Sequence, residues 1–264
     1  MTEESFEIVI IGAGRLATHL GLAFFRKGLK VAQVYNRTAD KGQKLAKKLG
    51  ASFINDLSEV TLSADLYFLA VSDSVLEDLS SRLRLRDKLV VHSSGTMGME
   101  ILTPISSNIG VFYPVQTFSH NKRINFRKVP VCIEGNTKFS VEQLEILAGK
   151  ITDSVHYLNS DKRRILHLGA VFASNFTNFL YAVTEELLLA HDIPLTFLES
   201  LILKTAMNVR QGKLITSQTG PAVRGDDKVL DKHRMMLADH PEYLAIYNLI
   251  SDNIIKHKLL HGKL

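Results

Sequence analysis

The chain has 264 residues, 45% of them hydrophobic, enough to bury a large core and to fill two domains of ordinary size. Its formal charge of +5 is scattered over short clusters, "KKLG", "RLRLRDK", "NKRINFRK" and "DKRR", which read as solvated faces and leave no nucleic-acid footprint. The single cysteine, Cys132, excludes an internal disulfide framework, and the acidic opening "MTEESFEIVIIG" shows no secretory signal, so a cytoplasmic protein is expected.

Taken in chain order, apolar runs alternate with amphipathic stretches. Strands are expected near 7–12, 30–35, 51–54, 66–71, 88–92, 110–113 and 129–133, with helices between most of them. That alternation predicts an α/β fold with a mainly parallel sheet covered on both faces. From about Asp161 the pattern changes to long apolar stretches poor in Gly and Pro, which predict helices over 161–191, 195–211, 227–238 and 241–260. Asp161 is the expected N-cap of the first, and Pro194 ends it. The shift places a boundary at 158/159, between a sheet domain (1–158) and an all-helical domain (159–264).

Within the first of these helices, "LHLGAVFASNFTNFLYAVTEELLLA" is apolar around most of its circumference and should be buried. A membrane span is the competing reading, but His167, Asn175, Asn178, Glu185 and Glu186 would be costly in lipid. The expectation is a central helix that packs against the same helix of a second subunit, giving a homodimer.

Chemistry concentrates first in "EIVIIGAGRLATHLGLAFFRKG". An apolar strand runs into Gly12-Ala13-Gly14-Arg15-Leu16-Ala17, the G-x-G-x-x-[GA] form of the dinucleotide turn. Gly12 permits the tight turn, Gly14 lets a pyrophosphate approach the backbone, and Ala17 lets the next helix sit close. The competing reading is a turn that packs two elements and binds nothing. The second strand ends at Asn36-Arg37-Thr38, where an acidic residue would read the ribose of NAD. None is present. Arg37 can instead fork onto a 2'-phosphate, with Asn36 and Thr38 adding donors, so the expected cofactor is NADP in its reduced form, NADPH. A solvated arginine at a strand end is the alternative.

Ligands of open sheets lie beyond the carboxyl ends of the strands, so Val71, Ser72 and Asp73 should border the cofactor, with Asp73 or Ser74 capping the next helix. By the same logic His92, Ser93 and Ser94 leave strand five near the nicotinamide position. In "VFYPVQTFS", Pro114 holds Tyr113 extended while Gln116, Thr117 and Ser119 offer hydrogen-bonding groups. Far downstream, "SQTGPAVRGDDKVLDKH" breaks the helical pattern. Arg224 could clamp a substrate carboxylate or pair with Asp226, and Asp226 or Asp227 could cap the following helix.

The ordered set "IGAGRLA", "YNRT", "AVSDS", "HSSGTMG", "YPVQTFS" and "TGPAVRGD" resembles an uncharacterised family of NADP oxidoreductases with a Rossmann-like N-terminal domain and a helical C-terminal domain. The first three motifs are shared with pyrroline-carboxylate, ketopantoate and deazaflavin-dependent reductases and with 6-phosphogluconate dehydrogenase relatives. The resemblance implies a helical domain that closes over the nicotinamide, supplies substrate contacts and builds the dimer. It also implies hydride transfer from NADPH to the C=O or C=N of a small carboxylate-bearing molecule, with ketopantoate as the first substrate to test.

The chain departs from those relatives at one place. Ketopantoate reductases and β-hydroxyacid dehydrogenases carry Lys-x-x-x-Asn on the first helix of the helical domain, with the lysine as proton donor. Here Asn175 is present, but Val171 stands where the lysine would be. His167, two helical turns before Asn175, is then the candidate acid, with His92 and Tyr113 as rivals. Ser93, Asn175 and Thr219 could polarise the reacting group. Besides the reductase, two readings stay open: an imine reductase of the pyrroline-carboxylate type, and an NADP-binding redox sensor without turnover.

Overall fold

The structure is a computed structural model and describes residues 6–119, 124–212, 214 and 217–261. The chain folds as two compact units, the first ending at Asn175 and the second running Phe176–Leu264.

The first unit is built on one sheet of β1 (Glu7–Ile11), β2 (Lys30–Tyr35), β3 (Ser52–Ile54), β4 (Leu66–Leu69), β5 (Arg86–His92), β6 (Ser106–Pro114), β7 (Val131–Gly135) and β8 (Val155–Tyr157). Their spatial order is β3-β2-β1-β4-β5-β6-β7-β8, with every neighbouring pair parallel except β6 and β7. Parallel neighbours need crossovers, and α1 (Arg15–Arg26), α2 (Ala39–Leu49), α3 (Asp73–Arg82) and α4 (Lys138–Ile151) supply most of them. Side chains alternate along a strand, so β1 sends Ile8 and Ile10 into one core and Val9 and Ile11 into the other. In the first core Phe24, Phe68 and Phe112 meet edge to face. Cys132 is buried on β7, opposite Tyr113 of β6.

All seven expected strands form. β5 and β6 begin earlier than expected, at Arg86 and Ser106, and the last of the seven runs 131–135. β8 is an addition: its three residues, two of them exposed, are too few for a period to show.

The expected long helix opens with α5 (Ser160–Ala170), which belongs to the first unit, and passes into a π-helical stretch, Val171–Phe176. Asp161 is not its cap. Asn159 accepts a hydrogen bond from the Lys162 N–H at 3.0 Å, while Asp161 pairs with Arg164 at 2.7 Å.

The second unit holds α6 (Thr177–Leu189), α7 (Glu199–Met207), the short α8 (Pro221–Arg224), α9 (Asp227–Met236) and α10 (Pro241–His261). The expected 195–211 helix is a 3₁₀ turn, then α7, then another 3₁₀ turn. Asp226 caps α9 by accepting from the Val229 N–H at 3.3 Å. Two bonds tie α9 to α10: His233 Nδ1 with the Tyr247 hydroxyl, and Arg234 Nε donating to Asn248 Oδ1, both at 2.9 Å. The Lys258 ammonium donates to the Val223 carbonyl at 2.6 Å, and the Tyr243 hydroxyl donates to Glu186 on α6.

The expectation that the apolar helix is buried fails within this chain. Neither α6 nor α7 holds a buried residue, and Phe179, Leu189 and Phe197 are 53%, 60% and 75% exposed. A helix apolar around most of its surface needs cover on several sides, and one copy of the chain does not supply it. Among the described residues, no helix is long and apolar enough to cross a membrane.

Candidate functional site

The site begins where β1 hands over to α1. Gly12 has φ 111°, and a Cβ there would stand 2.4 Å from the Ala70 carbonyl oxygen, so only glycine fits. Its N–H donates to the Tyr35 carbonyl at 2.8 Å, tying the turn to the end of β2. Asn36 completes the tie. Its Oδ1 accepts from the Ala13 N–H at 3.1 Å, and its amide donates to the Thr38 carbonyl and hydroxyl at 2.7 and 2.9 Å. Asn36, expected with Thr38 to add donors beside Arg37, thus also holds the turn.

Arg37, between them, is exposed and takes part in none of the described ion pairs. At Gly14, the N-cap of α1, an added Cβ would meet nothing within 4 Å, and the first helical turn carries no acidic residue. The unsatisfied N–H groups of the helix start therefore face open space that favours an anion.

These residues line a cleft of about 890 Å³ at the carboxyl ends of β1, β2, β4 and β5, where the strand order reverses between β1 and β4. The cleft brings together the whole expected cofactor set: Gly12, Ala13, Gly14, Arg15, Leu16, Asn36, Arg37, Thr38, Val71, Ser72, Asp73 and Ser93. One local expectation is corrected. Neither Asp73 nor Ser74 caps α3: Ser72 holds the N-cap position, its hydroxyl sharing a 3.4 Å bond with that of Ser74 and not with a helix N–H, and Asp73, the first helical residue, accepts from the Thr96 hydroxyl.

At the end of β5, His92 is buried and bonded at both ring nitrogens. Nδ1 accepts from the Ser94 N–H at 3.1 Å, so Nε2 carries the hydrogen and donates to the Gly98 carbonyl at 3.3 Å. Burial, reinforced by the Arg163 charge, holds its pKa down to about 4. Through these contacts it shapes the turn that follows β5.

Tyr113 and His167 meet. The phenol oxygen and Nδ1 share a hydrogen bond of 3.1 Å, whose direction follows the imidazole tautomer. Burial, and then the neighbouring Cys132 thiol, push the phenol pKa up against the pull of Arg163. The His167 ring lies on Gly95, where a Cβ would come within 2.5 Å of it. Gly95 follows Ser93 and Ser94, which line the cleft, so the pair stands at the β5 end of that cleft.

Asn175 is exposed. In a regular α-helix eight residues turn roughly 800°, leaving about 80° between 167 and 175. The π stretch winds less per residue and returns Asn175 toward the face of His167. Gln116 is exposed, its Oε1 accepting from the Thr117 N–H at 2.8 Å, and Thr117 shares a 3.2 Å bond with Ser174. Thr219 and Arg224 lie in the second unit, both exposed, and Asp226 caps α9 instead of pairing with Arg224.

Sequence reasoning misses Arg163. "DKRR" reads as a solvated face, yet Arg163 is fully buried. Its fork binds Glu134 of β7 at 2.5 Å and the Ser94 carbonyl at 3.1 Å, and also reaches the Met97 carbonyl. The available signal is its spacing, four residues before His167 on one helical face. Among the described residues, no group of three or more His, Cys, Asp or Glu is placed to hold a metal ion.

Fold and cleft define the class: a Rossmann-like α/β domain followed by a helical region. The Rossmann-like domain family matches residues 1–115, and a domain of unknown function (DUF2520) matches residues 129–254. A crystal structure from Bacteroides fragilis, described as a "putative NADP oxidoreductase", is 38% identical over 96% of this chain and 99% of its own, with a TM-score of 0.89. The chain belongs to the family of that Bacteroides protein. Two further solved structures share the fold at lower identity. A reductive aminase from Aspergillus terreus, in complex with NADPH and ethyl levulinate, is 18% identical over 98% of this chain and 95% of its own, with a TM-score of 0.69. An imine reductase from Myxococcus stipitatus, in complex with NADP+, is 17% identical over 97% and 95%, with a TM-score of 0.66. No curated protein matches the chain.

Proposed function

We propose that this protein is an NADPH-dependent reductase acting on the C=O or C=N of a small carboxylate-bearing substrate. The observation that carries the reading is the cleft at the strand-order reversal, open at Gly14 and bordered at the end of β2 by Arg37 with no acidic residue. The N–H groups of Gly14, Arg15 and Leu16 at the start of α1 would hold the pyrophosphate, and Arg37 would fork onto the 2'-phosphate. NADPH, when bound, supplies the hydride.

The chain's residues supply the rest. His167, bonded to Tyr113, delivers a proton to the substrate oxygen or nitrogen as charge develops there. Ser93 and Asn175 polarise the reacting group, Tyr113, Gln116 and Thr219 contact the substrate, and Arg224 clamps its carboxylate. By role, residues 1–158 form the nucleotide domain and 159–264 the substrate and dimer domain. The exposed apolar surface of α6 and α7 supports a homodimer.

Ketopantoate is the first C=O substrate to test. Fold likeness to an imine reductase and a reductive aminase supports C=N reduction as the second reading. The absent lysine at Val171 keeps the NADP sensor as a third. Thermal shifts with NADPH, NADH and no ligand, followed by an NADPH-oxidation panel of keto acids and cyclic imines, separate them. Turnover identifies the substrate, an NADPH shift without turnover indicates a sensor, and no shift refutes the nucleotide site.

A further inference from the structure

α5 carries a buried cation. A guanidinium presents its donors in a rigid planar fork, so a buried Arg163 is suited to fixing geometry. It lies one turn before His167. Its partner Glu134 is fixed in turn by the Ser160 N–H and hydroxyl at 2.9 and 2.8 Å, at the start of the same helix. The next residue, Arg164, donates to the Thr96 carbonyl at 2.9 Å.

Three carbonyls of the turn after β5, those of Ser94, Thr96 and Met97, are therefore bound by two consecutive arginines of the helix that bears His167. The same turn offers Gly95 as the surface on which the His167 ring lies. A buried ion pair is weak evidence for stability, because desolvation offsets its attraction, whereas fixing one arrangement is a role such pairs can fill.

We infer that Arg163 is a positioning residue for proton delivery. By locking the 93–98 turn to α5, it keeps the His167 ring on Gly95 and within hydrogen-bond reach of Tyr113. The kinetic part of this inference rests on the reductase reading; the geometric part does not.

The test compares full-length wild type with Arg163→Lys and with the double variant Arg163→Met/Glu134→Met, which replaces the buried pair by apolar side chains of similar size and avoids a lone buried charge. Three quantities are read: the NADPH dissociation constant, kcat and KM on the substrate found in the oxidation panel, and the His167 imidazole ¹⁵N resonances, assigned with His167→Gln. Both variants should bind NADPH and substrate as wild type does and lose roughly 10²-fold in kcat, the scale of a displacement near 1 Å. Their His167 Nδ1 resonance should move toward that of Tyr113→Phe. Wild-type kcat together with an unmoved resonance, in either folded variant, overturns the inference. If wild type turns over nothing, the reductase reading fails and the resonance alone decides: a shift upholds the positioning role and its absence refutes it.

Discussion

Two glycines of one turn should fail in different ways. Gly14 has φ −73° and ψ −175°, ordinary values for any residue, and an added methyl meets nothing within 4 Å. Gly14→Ala should leave the stability of the ligand-free protein within about 1 kcal/mol of wild type. The methyl would, however, stand where the pyrophosphate must come. Losing one hydrogen bond to a charged group costs about 2 kcal/mol, and at an NADPH concentration one hundred times the wild-type Kd the expected stabilisation falls from about 2.7 to about 1 kcal/mol. At about 2–4 °C per kcal/mol, the NADPH-induced Tm rise should drop from roughly 5–10 °C to roughly 2–4 °C.

Gly12→Ala is the opposite case. A positive φ costs an alanine about 1–3 kcal/mol, and the Ala70 carbonyl 2.4 Å away forces further displacement. Its ligand-free Tm should fall by several degrees. Differential scanning fluorimetry with and without NADPH reads both variants. A Gly14→Ala protein with a wild-type NADPH shift would mean that no phosphate passes over Gly14.

Arg37→Ala should weaken NADPH by roughly 10- to 100-fold, the value of a charge-assisted contact, and barely change NADH; equal losses would remove Arg37 from the 2'-phosphate. His92 gives a pH dependence. It is neutral in the fold, with a pKa of about 4 against the ordinary imidazole value of 6.5, so its contribution is complete above pH 6.5 and is lost as the pH falls toward 4. Urea unfolding at pH 7 and pH 5 should show roughly 2 kcal/mol less stability at pH 5 from this group, and His92→Gln should flatten that difference; parallel profiles would contradict the assignment. Arg224→Ala should raise KM for an acidic substrate with kcat largely kept, and an unchanged KM would exclude a carboxylate clamp. Phe179→Asp should turn a dimer into monomer in light scattering after gel filtration; a wild type already monomeric at micromolar concentration would refute the interface.

The sheet was legible because parallel strands buried on both faces read as continuous apolar runs, as "EIVII" and "LYFL" do. The cleft was legible for a related reason: glycine spacing and the absence of an acid after "KVAQVY" are local facts. What escaped depends on distant partners. Nothing in "DKRR" separates a buried arginine from a solvated one, since Glu134 and the 94–97 carbonyls that receive it lie 29 or more residues away. The two backbone partners of His92, and the hold of Asn36 on the Ala13 N–H, likewise lie outside anything that local sequence shows. The π stretch has no compositional mark, because "VFASNF" suits an ordinary helix equally well.

Cys132 offers one further use. The chain has a single thiol, buried on β7 across from Tyr113, and burial pushes its pKa up. A thiolate reagent should therefore react only when the β6–β7 pair comes apart, and the modification rate then counts those openings. Measured with and without nucleotide, that rate would follow the stiffening of the strand that carries Tyr113, with no label to install and no competing site to subtract.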